Sequence, residues 1–152
     1  MADLSGPGIR LGLPRGWEGE IDDGGLRTVA DGSIRPTVVH LANFPLPPGR
    51  GDYGSGAVER MRAGDVLIVL FEFDRSSAGS ALFGARGIPR TVTAEEFDPA
   101  ALQWGRPGMS GLQRFFTEGG RAFCLYIVLG SHLDRRDVIP AIDAVLAGVV
   151  IS

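Results

Sequence analysis

The residues whose spacing comes nearest to a known chemistry are the glycines of Gly49-x-Gly51-x-x-Gly54, followed by Ser55. They come after a predicted strand and before a predicted short helix, which is the order of a dinucleotide-binding unit. In such a unit the glycines let the backbone approach a pyrophosphate at a helix N-terminus. Three prolines before the first glycine, and the shortness of the helix, favour a plain glycine-rich turn instead. A small-ligand or nucleotide site in the loop 49–56 is therefore the alternative function.

The single cysteine, Cys124, could act as a nucleophile with His40 or His132 as its base. It lies within an apolar run, and no adjacent charge lowers its thiol pKa, so we interpret it as an inert core residue. His132 and Asp134 are only two potential ligands, which do not define a metal site. His40 alternates with apolar neighbours, a pattern that indicates a satisfied, partly buried histidine. The sequence therefore predicts no catalytic residue, no metal and no cofactor.

The irregular segment 74–110 contains the candidate partner-binding residues Phe97, Leu102, Trp104 and Met109. Loop regions of this length in a compact domain are often functional. Exposed aromatic side chains on such segments mark surfaces that bind other proteins. The alternative interpretation is that Trp104 fills the core.

Two unbroken apolar runs, Val66 to Phe73 and Ala122 to Leu129, predict strands that are buried on both faces. Gly119 and Gly120 precede the second run and predict a tight hairpin with the strand Leu112 to Phe116. A strand buried on both faces needs cover on each side. The sequence therefore predicts a sheet with other elements packed above and below it.

The last long element is an amphipathic helix whose apolar stripe includes Val138, Ile142 and Val145. With Asp137 as the N-cap, Pro140 would lie in the first turn, where its missing N–H costs nothing. The helix is expected to cover one face of the sheet.

Composition limits the function classes. The chain has 152 residues, a length that fits one domain. Its net charge is −3 and its arginines are scattered, so it lacks the electrostatic pattern of a nucleic-acid binder. The N-terminus has no signal-peptide pattern, and no apolar run approaches the length of about 18 residues that spans a bilayer. We expect a cytoplasmic protein without a membrane span.

Two motifs carry a resemblance to a known fold, one near each end of the chain: Leu13-Pro14-x-Gly16-Trp17 after a short strand, and Arg121-Ala122-Phe123-x-Leu125-Tyr126-x-Val128-Leu129-Gly130 before the terminal helix. They resemble the PsbP-like α/β/α sandwich, whose members include a photosystem extrinsic subunit and a small-GTPase-binding nuclear import factor. Three further motifs resemble uncharacterised actinobacterial proteins of this size: Gly64-Asp65-Val66, Gly111-x-Gln113-x-Phe115-Phe116 and Gly120-Arg121-Ala122-Phe123. The resemblance covers most of the chain and implies a non-enzymatic, protein-binding module without a shared catalytic residue.

These observations predict an α+β fold of the PsbP-like sandwich type. We expect an antiparallel-rich twisted sheet with the C-terminal helix on one face, and a short helix (residues 55–63) plus loops on the other. Residues 1–8 are predicted to be a flexible tail and residues 9–152 a single α+β domain. The predicted function is a non-enzymatic protein-interaction or assembly module of a soluble bacterial complex. Its expected partner is another protein or a second copy of the chain.

Overall fold

The computed structural model describes residues 2–22 and 36–152. Its strands and helix, in chain order, are β1 (Ala2–Gly6), β2 (Ile9–Leu13), β3 (Glu18–Asp22), β4 (Val38–Ala42), β5 (Val66–Glu72), β6 (Ser110–Glu118), β7 (Arg121–Leu129), α1 (Arg135–Ala147) and β8 (Val149–Ile151). Short 3₁₀ turns lie at Val58–Arg60, Arg75–Ser77, Ala81–Phe83, Ala94–Glu96 and Pro99–Ala101.

The strands form two antiparallel sheets. The larger has the order β3-β4-β5-β7-β6, and the smaller has the order β1-β2-β8. The prediction of an α+β fold with antiparallel strands and a C-terminal helix is confirmed. Sequence reasoning expected one sheet, whereas the N-terminal and C-terminal strands form a second one.

The prediction of a flexible tail is wrong for Ala2–Gly6. These residues form β1, which pairs with the whole of β2. The turn between the two strands contains Gly8 in a left-handed conformation, with φ of 68°. Leu4 packs against the core. One apolar residue in a polar stretch is too weak a pattern to predict a strand, because pairing with β2 supplies most of the ordering.

The hairpin between β6 and β7 is confirmed. Its two central residues, Gly119 and Gly120, have φ of 61° and 74°, and Glu118 pairs with Arg121. Positive φ at both positions defines a type I′ turn, whose twist matches that of the flanking strands. The local sequence therefore sets the register of the longest strand pair.

The larger sheet has a hydrophobic core on each face. On one face, side chains such as Leu125 and Ile127 pack with α1 and the smaller sheet. On the other face, Tyr126 and Val128 pack under the loops. All residues of β7 are buried, as its apolar run predicts. Full burial of each large apolar side chain stabilises the fold by about 1.5–3 kcal/mol.

Two details of the helices differ from the predictions. Helix α1 begins at Arg135 rather than after Asp137, so Pro140 lies inside it. Arg136 and Pro140 are exposed, so solvent can hydrate the carbonyl oxygen that Pro140 leaves without a donor. The helix predicted over residues 55–63 is only the 3₁₀ turn Val58–Arg60. Gly56 has φ of 95°, which no α-helix accommodates.

Candidate functional site

The glycine loop is folded on itself. The Gly51 N–H donates to the Ser55 carbonyl oxygen at 2.9 Å, and the Gly54 N–H donates to the Gly51 carbonyl oxygen at 2.9 Å. A Cβ atom on Gly51 would clash with Ser55 Oγ. Gly49 and Gly54 have positive φ. The Gly51 and Gly54 amides thus donate within the loop and are not available to a ligand. The following 3₁₀ turn is too short to have a substantial helix dipole. This geometry does not favour pyrophosphate binding.

His40 and Arg50 fasten this loop to the sheet. Arg50 Nε donates to His40 Nδ1 at 3.0 Å, and His40 Nε2 lies 2.9 Å from the Asp52 carbonyl oxygen. A guanidinium only donates, so Nδ1 carries no proton and Nε2–H donates to Asp52. Burial, followed by the Arg50 charge, lowers the pKa of His40. The expectation of a satisfied, partly buried histidine agrees with this geometry.

A groove of about 330 Å³ lies beside this pair. Arg50 is the main cation of the groove, and its side chain is only 6% exposed. Its Nη1 donates to the Pro47 carbonyl oxygen at 2.6 Å, and its Nη2 lies 3.2 Å from Glu20 Oε1. An anionic ligand here would have to compete with these contacts. Arg50, together with His40, therefore holds the loop against strands β3 and β4.

The Cys124 thiol is a core group. It is 2% exposed, and burial raises its pKa to about 12. A thiol with that pKa forms almost no thiolate at neutral pH, so it is a poor nucleophile. Its environment agrees with the interpretation of an inert core residue.

His132 lies between β7 and α1, where its backbone N–H donates to the Gly108 carbonyl oxygen at 2.7 Å. Its Nδ1 has no partner among the described residues. Within residues 2–22 and 36–152, no group of three or more His, Cys, Asp or Glu side chains could hold a metal ion. No helix in the same part of the chain is long and apolar enough to cross a membrane.

The four candidate partner-binding residues separate into two pairs. Phe97 and Met109 are 4% and 6% exposed, so their side chains belong to the core and not to a surface. Each packs on a different face of the larger sheet. Leu102 is partly buried, whereas Trp104 is 55% exposed. Only Leu102 and Trp104 can contribute to a contact surface.

The pairing of Asp98 with β6 explains why Phe97 is buried. Asp98 exchanges two backbone hydrogen bonds with Gly111, at 2.9 and 3.0 Å. Before it, Glu96 accepts a hydrogen bond from the Thr93 N–H at 2.7 Å, in a capping box at the start of the 3₁₀ turn Ala94–Glu96. Phe97 lies between these two anchors and packs into the core beneath α1. A bridge to a distant strand has no signature in the local sequence.

Leu102 lines an open groove of about 460 Å³ at the β6 edge of the larger sheet, and Trp104 follows the lining residue Gln103 in the chain. The groove is lined by Glu96, Asp98, Ala100, Ala101, Leu102, Gln103 and Gln113. The Gln103 N–H donates to Tyr126 Oη at 2.8 Å, which ties the segment before Trp104 to the core. The exposed indole therefore projects from an anchored segment, which lowers the entropy cost of using it for binding.

Aromatic rings, all partly exposed except the buried Phe83, lie along the same face of the sheet. Tyr53 stacks on Phe71 with centroids 5.1 Å apart, and Phe71 contacts Phe73 at 5.0 Å. Phe83 bridges Phe73 and Phe115, at 5.2 and 5.6 Å. This aromatic row, defined as Tyr53, Phe71, Phe73, Phe83 and Phe115, ends at the β6 edge. Alternation along β5 and β6 could have indicated the shared face, but not the joining of these rings by loop residues.

Comparison of the chain with protein-family models, with curated proteins and with solved structures finds no match. The resemblance to the PsbP-like sandwich remains a prediction. A proposal about function therefore rests on the residues and the geometry described above.

Proposed function

We propose that this protein is a non-enzymatic interaction module that binds another protein in a cytoplasmic bacterial complex. The observation that carries the proposal is the 55% exposure of Trp104, which directly follows the anchored residue Gln103 of the open groove. Tryptophan is enriched among the residues that dominate binding free energy, because its large surface gains much from burial. The partly exposed rings of Tyr53, Phe71, Phe73 and Phe115 offer further apolar surface on the same face of the sheet.

Affinity capture from the native host with the full chain as bait tests this function. We expect the unmodified chain to retain one stoichiometric protein, and Trp104→Ala to lose most of it. Val150→Ala serves as the matched control, since Val150 is 45% exposed on the smaller sheet. No stoichiometric protein, or equal capture by Trp104→Ala, would contradict the proposal.

The second candidate function is small-ligand or nucleotide binding by the loop 49–56. It is supported by the groove of about 330 Å³ beside the Arg50 guanidinium. Nucleotides at millimolar concentration should then raise the thermal unfolding midpoint, because ligand binding to the folded state stabilises it. An unchanged midpoint with adenine and guanine nucleotides would rule this function out.

A further inference from the structure

The outer edge of β6 is occupied at both ends by other parts of the chain. At one end, Gly111 exchanges backbone hydrogen bonds with Asp98. At the other end, the Thr117 N–H donates to the Ala85 carbonyl oxygen, and the Gly87 N–H donates to the Thr117 carbonyl oxygen, both at 2.8 Å. Alternate residues of an edge strand direct their backbone groups outward. The backbone N–H and carbonyl groups of the odd-numbered residues of β6 therefore point away from β7.

Two outward-facing residues lie between these ends, Gln113 and Phe115. No other described residue bonds to their N–H or carbonyl groups, since β6 pairs with β7 and with the segments at Asp98 and Arg86. Gln113 is exposed and Phe115 is partly exposed. We call this pair of residues the edge gap. Unpaired backbone groups at a sheet edge are a template for an added strand.

The segments on either side explain why the gap is open. The chain pairs with Thr117 at residues 85–87, then leaves the edge, and Ile88 and Val92 enter the core beneath α1. It returns to the edge only at Asp98. Gly111 and Thr117 are six residues apart in sequence, which is about 20 Å along a strand. The gap therefore accommodates a short extended segment of about three to five residues.

We propose that the partner binds by adding an extended segment of its own chain to the edge gap. This inference rests on the proposed function and names its mode of recognition. Backbone hydrogen bonds to Gln113 and Phe115 would give affinity, and side-chain contacts would give specificity, as in other cases of strand addition. The partly exposed Phe115 ring, which packs on the buried Phe83, offers an apolar contact at the gap.

The charge of the groove indicates the composition of the segment. Glu96 and Asp98 line it, and its described lining residues include no basic side chain. Glu96 forms an ion pair with Arg114 at 3.4 Å. The Asp98 carboxylate accepts a hydrogen bond from the Ala100 N–H at 2.8 Å but pairs with no cation among the described residues, so it is the closer match for a cation. We therefore expect a segment that carries an arginine or lysine near one apolar side chain.

A second copy of this chain fits the gap less well. A copy that presented its own β6 would bring its own segments at residues 85–87 and 98 into the same short window. A short segment from a different protein avoids this collision. Self-association through another edge remains an outcome that the experiment distinguishes.

The experiment uses a random heptapeptide library displayed on phage and selected against the full chain. The tightest selected peptide is then the probe for Gln113→Pro and Gln113→Ala. Proline removes the outward N–H and leaves the β6–β7 hydrogen bonds intact, which an edge strand tolerates. Alanine keeps that N–H and removes the side chain. We expect Gln113→Pro to bind about tenfold more weakly than Gln113→Ala, the effect of about one lost hydrogen bond.

Amide hydrogen exchange on the unmodified chain provides a readout that does not depend on how Gln113→Pro folds. The peptide should slow exchange at Gln113 and Phe115. Equal affinity for both variants, or unchanged exchange at these two amides, would overturn strand addition. If Trp104→Ala still lost the partner, the proposed function would survive that result. A concentration-dependent dimer that protects the same amides without peptide would identify a second copy as the occupant and overturn the proposal.

Discussion

Arg121 and Glu72 form a bidentate ion pair across neighbouring strands. Arg121 Nε and Nη2 donate to the two carboxylate oxygens of Glu72 at 2.8 and 2.9 Å. Arg121 is 3% exposed, and its guanidinium lies 5.3 Å from the centre of the Phe123 ring. Its Nη1 also donates to the Ser152 carbonyl oxygen at 3.3 Å. One side chain therefore links β5, β7 and the C-terminal end of the chain.

Arg121→Ala should lower the free energy of unfolding by about 3–5 kcal/mol, because it leaves the Glu72 carboxylate poorly solvated and unpaired. Urea denaturation of both proteins measures the change. Arg136→Ala is the matched control. Arg136 pairs with Glu95 at 2.9 Å, but both side chains are about two-thirds exposed, so we expect no measurable loss there. A similar loss in both variants would contradict the role of burial.

Stability should depend on pH through His40. Burial holds the pKa of folded His40 below its ordinary value of 6.5, so the unfolded chain takes up a proton first as pH falls. The stabilisation is therefore complete above about pH 6.5 and is lost as pH falls from there through the folded pKa. Denaturation from pH 5 to 8 should show a smaller pH dependence for His40→Gln than for the unmodified chain. Parallel curves would show that His40 titrates alike in both states.

The Cys124 thiol should resist alkylation in the folded protein. Its pKa of about 12 and its burial both limit attack on iodoacetamide at pH 8. Mass spectrometry should find one added group in urea and none in native buffer over the same time. Rapid labelling of the native chain would indicate an accessible thiol and reopen the question of a cysteine nucleophile.

Gly120→Ala should destabilise the protein by about 1–2 kcal/mol, the cost of a left-handed conformation for a residue with a Cβ. Its φ is 74°, and no atom lies within 4 Å of the added carbon, so the cost is backbone strain alone. Gly105→Ala is the matched control, because it has equal space and no positive φ. Thermal unfolding compares the two, and an equal midpoint shift in both would rule out strain at Gly120.

The elements that the sequence predicted well are those set by neighbouring residues. The apolar run that forms β7 and the glycine pair before it both depend on local pattern. In each of these elements, the local residue types favour the backbone conformation and the burial that the fold requires. The fold class could therefore be predicted without any knowledge of distant contacts.

Which residues are exposed on the surface depended on contacts between residues that are distant in sequence. Phe97 and Trp104 are both aromatic residues in one irregular segment, yet the bridge from Asp98 to Gly111 buries the first and leaves the second exposed. The hydrogen bond from Arg50 to His40 likewise joins a loop to a strand. The open edge at Gln113 and Phe115 exists because the chain leaves β6 after Gly87 and returns at Asp98. The sequence by itself determined the strands with a marked apolar pattern, such as β5 and β7, since backbone conformation there follows local side-chain pattern. Only the tertiary structure decided which side chains and backbone groups remain free to bind, because burial depends on what packs against each residue.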